Sequence, residues 1–241
     1  MVLKALIFDV DGTLADTERD GHRVAFNLAF ADAGLVWNWD VETYGRLLNV
    51  TGGKERIRYF LDEFIPAFGA PADLDGFIRN LHQAKTGHYL ALLRSGAVPL
   101  RRGVERLLRG ARARGLRLAI ATTTTPANVT TLLSATLGEE SIAWFEVIAA
   151  GDIVPRKKPA PDIYHYALGQ LGLPAEQCLA FEDSEHGLAA AVGAGLKTVI
   201  TVNDYTSGQD FSAAALVLDQ FGEPGDSVLV DVPLLQGLAG V

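Results

Sequence analysis

The chain has 241 residues, of which 49% are hydrophobic, so it can bury one large core and still form a second, smaller module. Its net charge of −8 and its isoelectric point near 5.1 argue against non-specific binding to nucleic acid or to an anionic membrane. The single cysteine, Cys178, excludes an intramolecular disulfide and a cysteine-based zinc site. We find neither a signal-peptide pattern nor an apolar run of transmembrane length, and we therefore expect a soluble, cytoplasmic protein of a bacterial cytosol or an organelle stroma.

Short runs of apolar and β-branched residues predict strands, and longer runs with a helical period predict helices. The predicted strands lie at residues 3–9, 116–122, 145–149, 178–182 and 197–202. The helices between the later strands lie at residues 101–114, 126–137, 160–171 and 184–194. This alternation predicts an α/β fold, a doubly wound parallel sheet with helices on both faces, in which ligands bind beyond the carboxyl ends of the strands.

The first two predicted strands are separated by a long segment with several helical patterns and hardly a strand. These patterns lie at residues 18–33, 41–48, 54–68 and 74–93. We predict a helical cap domain at residues 17–94, inserted into a core made of residues 1–16 and 95–241. The cap segment contains 9 basic and 10 acidic residues, whereas the rest of the chain contains 12 basic and 19 acidic residues. Most of the net negative charge therefore lies in the predicted core.

Two carboxylates, Asp9 and Asp11, stand one residue apart in "FDVDGT", at the end of the first predicted strand. Strand residues two apart face the same side, so these side chains would repel each other unless a cation joined them. Mg²⁺ suits such a site, since it binds one or two carboxylates together with phosphate and water. The alternatives are a solvated turn or a calcium-binding loop, for which Asp16 is badly placed.

Two further predicted strand ends carry groups that suit a phosphate. In "IATTTTPAN", Thr122 and Thr123 can offer hydroxyl and backbone donors, although a threonine run before a helix capped by Thr125 would look similar. In "VPRKKPAPD", Lys158 could place an ammonium over the site, although a solvated basic turn would also fit.

A second pair of acids follows the fourth predicted strand, where "FEDSEHG" contains Glu182 and Asp183. These carboxylates could complete a metal site, or Asp183 could cap the following helix. A solvated turn or a helix cap can explain each of these groups by itself. It does not explain why the two acidic pairs, the threonines and the lysine all occur at successive strand ends.

The segments "DVDGT", "ATTTT", "KKPAPD" and "FEDS", in this order, resemble the four motifs of the haloacid dehalogenase superfamily of phosphohydrolases. The resemblance spans essentially the whole chain and implies Mg²⁺ as the cofactor. It implies that Asp9 is the nucleophile and that Asp11 is the general acid and base. It implies further site residues, namely the phosphate ligands Thr122, Thr123 and Lys158 and the metal ligands Asp9, Asp11, Glu182 and Asp183.

The segments "ADTERDGHR" and "TGGKERI" resemble the CbbY-like branch, whose phosphatases act on sugar bisphosphates including xylulose 1,5-bisphosphate, an inhibitor of rubisco. The resemblance implies substrate-binding residues in the cap, for which we choose Glu18, His22, Lys54, Arg56 and Lys85. Arg58 and His88 are further cationic or donor groups there. Several of these side chains can be solvated helix charges, and we expect Lys54 above the others to touch the ligand.

Other functions share parts of this pattern. A phosphoglucomutase of the same superfamily would carry the same four motifs. A signalling receiver domain would lack the helical cap. A dehalogenase would not need Asp11. We expect a monomeric phosphatase that binds a small sugar phosphate or bisphosphate, and neither nucleic acid nor a membrane.

Overall fold

The computed structural model describes residues 2–50, 52–69 and 71–240. The chain divides into two units, each with its own internal packing. The sheet unit consists of Met1–Asp16 and Pro99–Val241, and the helical unit is Thr17–Val98. Residues 95–98, which the sequence analysis places in the core, therefore pack with the helical unit, where Val98 is buried.

The sheet unit contains a parallel sheet whose described strands run in the order β3-β2-β1-β4-β5-β6. These strands are β1 (Ala5–Phe8), β2 (Arg117–Thr122), β3 (Phe145–Ala150), β4 (Cys178–Glu182), β5 (Lys197–Thr201) and β6 (Leu216–Leu218). The order reverses beside β1, so the carboxyl ends of β1, β2 and β4 meet where doubly wound sheets bind ligands. The predicted α/β fold is confirmed.

The helical unit begins with a π-helical turn, Thr17–His22, where the sequence predicts the first turns of an α-helix. Its helices are α1 (Arg23–Asp32), α2 (Val41–Leu47), α3 (Gly53–Phe64) and α4 (Leu74–Arg94). Its core is aromatic, because the rings of Phe26, Phe30, Trp39 and Phe60 are all buried and contact one another. In the described part of the chain, no helix combines the length and the apolar composition that crossing a bilayer requires.

The remaining helices cover the sheet. They are α5 (Val104–Ala113), α6 (Pro126–Leu137), α7 (Asp162–Leu171), α8 (Glu185–Gly193) and α9 (Val232–Ala239), with 3₁₀ turns at Glu139–Trp144 and Ala175–Gln177. The Thr125 hydroxyl caps α6 by accepting a hydrogen bond from the Asn128 amide, as predicted. Ser184, rather than Asp183, caps α8 by accepting from the Gly187 amide at 3.1 Å, so the Asp183 carboxylate is not used as the cap.

Candidate active site

Three carboxylates lie together at the carboxyl ends of β1 and β4. The Asp9 amide donates to Phe181 O at 2.9 Å, which extends the pairing of the two strands by one residue. Asp9 therefore lies beside Glu182 and Asp183, and one oxygen from each of the three residues falls within 4.8 Å of the others. All three are buried, and Glu182 is only 1% exposed.

Lys158 is the ammonium that lies against these acids. Its Nζ donates to Asp9 Oδ1 and to Glu182 Oε1, both at 2.6 Å, and to Ala121 O at 2.9 Å. Burial works against the charge on Lys158, but the two carboxylates more than offset it and raise the pKa of Lys158 above its ordinary value. The side chain is therefore a fixed cation that uses all three of its N–H groups.

One ammonium does not balance three buried carboxylates. Burial, and then the neighbouring Asp9 charge, raise the pKa of Glu182 to about 7 against the effect of Lys158. Burial, followed by the charges of Asp9 and Glu182, raises the pKa of Asp183 well above its ordinary value. A divalent cation would remove this imbalance, and a set of carboxylate oxygens is the donor set that Mg²⁺ prefers. Asp9, Glu182 and Asp183 thus fit a metal site.

Tyr164 holds the Glu182 carboxylate from the side of α7. Its hydroxyl donates to Glu182 Oε1 at 2.5 Å, and burial raises the pKa of Tyr164 well above its ordinary value, so the phenol keeps its proton. On the other side, the Glu182 carboxylate lies so close to Gly187 in α8 that a Cβ there would collide with it. Glu182 is thereby fixed between two helices.

Asp183 is held by a residue that the sequence analysis did not identify. Asn203, in the loop after β5, donates from Nδ2 to Asp183 Oδ2 at 2.7 Å. Gly12 faces the same carboxylate, and a Cβ at this position would collide with Asp183 and with the Asn203 amide. Gly12 also has φ +85°, a conformation that favours glycine, so both the turn and the space require this residue.

Asp11 lies in the turn after β1 and is half-buried. The chain bends directly behind it, because the Gly12 amide donates to Ala15 O at 2.8 Å. The acidic cluster that the described residues form contains Asp9 but not Asp11. The roles of Asp11 as metal ligand and as acid and base stay predictions.

The threonine segment after β2 forms a compact turn that leads into α6. Thr122 is buried, and its hydroxyl accepts from the Thr124 amide at 3.3 Å, whereas Thr123 is exposed. Thr124 is held in turn by Asn128, whose Nδ2 donates to the Thr124 hydroxyl at 3.0 Å. Backbone N–H groups at the start of a helix favour an anion, so the turn suits a phosphate oxygen.

Two of the predicted cap residues, Glu18 and Arg56, meet around a tyrosine in the helical unit. The Tyr44 hydroxyl donates to Glu18 Oε2 at 2.6 Å and accepts from Arg56 Nη1 at 2.9 Å. Arg56 also lies 3.8 Å from the Glu18 carboxylate and donates from Nε to Val50 O at 3.2 Å. This network connects the first helical turn of the unit to α2 and α3.

Two others, His22 and Lys85, meet beside an aromatic ring. Lys85 Nζ lies 2.6 Å from His22 Nδ1, and the His22 ring stacks on Tyr89 with the ring centroids 3.8 Å apart. Burial, and then the Lys85 charge, lower the pKa of His22 well below its ordinary value. A neutral His22 accepts from Lys85 at Nδ1 and carries its own proton on Nε2.

The three other basic groups that the sequence analysis names in the helical unit differ in their surroundings. Lys54 is exposed near the start of α3, and Thr51, the first residue of the TGG segment, lies outside the described residues. Arg58 forms an ion pair with Asp75, and His88 lies 2.6 Å from Asp32, so these two bases already have acidic partners on the surface of the unit.

The comparisons with known proteins agree with this geometry. The family model of the haloacid dehalogenase-like hydrolases matches residues 3–195. Protein CbbY of Rhodobacter capsulatus is 51% identical over 233 residues, which cover 97% of this chain and 100% of that protein. A phosphorylated carbohydrates phosphatase of Thermotoga maritima is 29% identical over 219 residues, which cover 89% of this chain and 94% of that protein.

A solved structure is also similar. A mutant of CbbY from Rhodobacter sphaeroides, crystallised in complex with xylulose-(1,5)-bisphosphate, is 47% identical and superimposes with a TM-score of 0.78. The match covers 93% of this chain and 97% of that chain. The chain therefore belongs to the haloacid dehalogenase-like hydrolase family, in its CbbY branch, and is a hydrolase of the phosphatase type.

Proposed function

We propose that the protein is a Mg²⁺-dependent phosphatase that hydrolyses a sugar phosphate, with a sugar bisphosphate such as xylulose 1,5-bisphosphate as the preferred substrate. The observation that carries this proposal is the buried Asp9–Lys158 pair beside Glu182 and Asp183 at the carboxyl end of the sheet. The xylulose-(1,5)-bisphosphate complex of a 47% identical CbbY supports the choice of substrate.

Asp9 serves as the nucleophile in this proposal. One oxygen of its carboxylate attacks phosphorus, the bond between phosphorus and the sugar oxygen breaks, and an aspartyl-phosphate forms on Asp9. The phosphate is negatively charged and would repel Asp9 in water. Lys158 counters this repulsion through its positive charge, because its ammonium lies against Asp9 Oδ1 at 2.6 Å.

Asp11 carries the proton in both half-reactions. It donates a proton to the sugar oxygen as that oxygen leaves, and it then takes a proton from the water that attacks phosphorus and releases inorganic phosphate. Such transfers contribute typically about 10²–10⁴ in rate. A half-buried position beside the Asp9 strand end suits a group that must exchange protons with leaving group and water.

The metal would be held by Asp9, Glu182 and Asp183, with Asp11 as a further candidate ligand. When bound, Mg²⁺ offsets the charge that develops on the transferred phosphoryl group. The chain prepares the site before binding, because Tyr164 and Lys158 fix Glu182 and the Thr124 amide donates to the Thr122 hydroxyl.

The helical unit is proposed to act as a cap that supplies the contacts to the part of the substrate that does not react. Lys54 is the first candidate for a second phosphate, because it is exposed and lies near a helix start. The His22–Lys85 pair and the Glu18–Arg56 pair supply polar groups that suit sugar hydroxyls. The expected monomeric state and cytoplasmic location stay predictions.

The test is the release of inorganic phosphate from a panel of sugar mono- and bisphosphates, with Mg²⁺ and with EDTA. We expect turnover with Mg²⁺, the highest kcat/KM on a bisphosphate, and no turnover in EDTA. EDTA-resistant turnover would contradict the metal assignment. Transfer of the phosphoryl group to an added sugar, faster than release to water, would instead identify a phosphoglucomutase.

A further inference from the structure

The carboxyl end of β5 contributes a side chain to the acidic cluster. Asn203 follows β5 by two residues and donates from Nδ2 to Asp183 Oδ2 at 2.7 Å. Asp183 is 8% exposed, so this contact is made in a buried setting, where one fixed donor determines the direction of a carboxylate.

The orientation of the Asn203 amide is defined by its other contacts. Its Oδ1 accepts from the Tyr205 amide at 2.9 Å, and its backbone N–H donates to the Thr206 hydroxyl at 3.0 Å. Because Oδ1 is already the acceptor for a backbone N–H, the group that faces Asp183 has to be the NH₂ donor.

The loop that carries Asn203 is anchored by a nearly buried arginine. The Arg101 guanidinium donates to Thr201 O at 2.9 Å and to Val202 O at 2.5 Å, and it also donates to Gly12 O. One side chain therefore ties the loop after β5 to the turn after β1. These bonds restrict how far Asn203 can move away from Asp183.

We propose that Asn203 is a positioning residue for the metal site, which engages Asp183 Oδ2 and thereby leaves Asp183 Oδ1 for a divalent cation. This role rests on the Mg²⁺ part of the proposed function. Residues that orient a metal ligand in this way typically contribute about 10- to 100-fold to metal affinity or activity.

The test is a titration of the metal-free protein with Mg²⁺, followed by calorimetry, and with Mn²⁺, followed by electron paramagnetic resonance, without substrate. The variants are Asn203→Ala, which removes the donor, and the isosteric Asn203→Asp, which keeps the acceptor for Tyr205 but turns an oxygen toward Asp183. Ser207→Ala is the matched control, because Ser207 is an exposed residue of the same loop and its backbone bond to Asn203 O is kept.

We expect both Asn203 variants to bind Mg²⁺ and Mn²⁺ about 10- to 100-fold more weakly, while Ser207→Ala binds like the wild type. The Tm of the metal-free Asn203→Ala protein should fall by a few degrees, because a buried hydrogen bond to Asp183 is lost, and saturating Mg²⁺ should restore its kcat. Unchanged metal affinity in both variants, or tighter binding by Asn203→Asp, would overturn the positioning role and leave the proposed phosphatase untouched. A wild type that binds neither ion would overturn the metal site itself and this role with it.

Discussion

Lys158 Nζ lies 2.6 Å from Asp9 Oδ1, and the two side chains are only 8% and 9% exposed. The pair joins the end of β1 to the segment after β3, two places far apart in the sequence. It keeps the proposed nucleophile and its cation in contact before a substrate arrives. Lys158 therefore serves both charge balance and catalysis in the proposed mechanism.

Lys158→Met should abolish turnover and lower the free energy of unfolding, because it leaves buried carboxylates without their cation. Removing one partner of a buried pair typically costs about 3–5 kcal/mol. Lys157→Met is the matched control, since Lys157 pairs with Asp152 on the surface and should contribute little. Urea denaturation and phosphate release measure both effects. Equal stability of the two variants would contradict the buried-pair assignment.

Asp11→Asn should keep Mg²⁺ and substrate binding but lose roughly 10²-fold or more in kcat, because the amide cannot transfer the proton. The loss should be larger for a sugar phosphate than for a phenyl phosphate, whose leaving oxygen needs less protonation. Steady-state kinetics on the two substrates measures this difference. An unchanged rate on both would remove the acid-base role of Asp11.

Lys54→Ala should lower kcat/KM for a sugar bisphosphate by about 10- to 100-fold, since a charge-assisted contact to a second phosphate is worth roughly 1.5–3 kcal/mol. Turnover of a small monophosphate should barely change. Arg58→Ala is the control, because Arg58 already pairs with Asp75. An equal loss on both substrates would mean that Lys54 acts through cap folding, and no loss would make it a solvated charge.

His22 should stay neutral at pH values where an exposed histidine is protonated. Burial and the Lys85 charge lower the pKa of His22 in the native state. In the unfolded chain, His22 has an ordinary pKa and takes up a proton below about pH 6.5. Because only the unfolded state gains this proton, lowering the pH below about 6.5 reduces the free energy of unfolding. Nitrogen-detected NMR titration measures the pKa, with a short unstructured histidine peptide as reference. Lys85→Met should raise the pKa of His22 only in part, because burial remains. Ordinary titration of His22 in the wild type would contradict the His22–Lys85 geometry.

The sequence predicts most of the fold because the strands β1 to β5 are apolar runs, and because glycine and proline residues mark the ends of the helices between them. It does not predict β6, since three residues, Leu216–Leu218, are too short to show a period. The sequence does not predict the π-helical turn Thr17–His22 either, because this segment is polar throughout and nothing in it distinguishes a π-helix from the α-helix that follows.

The main site residues are predictable because each lies at the end of a strand or in the segment after it, where the parallel topology brings them together. Asn203 also follows a strand, β5, so its position carries the same signal. Tyr164 and Arg101 give no such signal. In the sequence, Tyr164 resembles a core residue of a helix and Arg101 resembles a solvated charge before a helix. Only the folded structure shows that Tyr164 contacts Glu182 and that Arg101 contacts Thr201.

The most direct test of the account is to trap the aspartyl-phosphate on Asp9. The enzyme is mixed with a sugar bisphosphate and Mg²⁺, quenched with borohydride, which reduces an acyl phosphate to the alcohol, and digested for mass spectrometry. We predict homoserine at position 9 in the wild type, and neither homoserine nor turnover in Asp9→Asn, with deamidation back to Asp excluded by mass. Phosphate release without any reduction at position 9, or reduction at another carboxylate, would contradict the central claim.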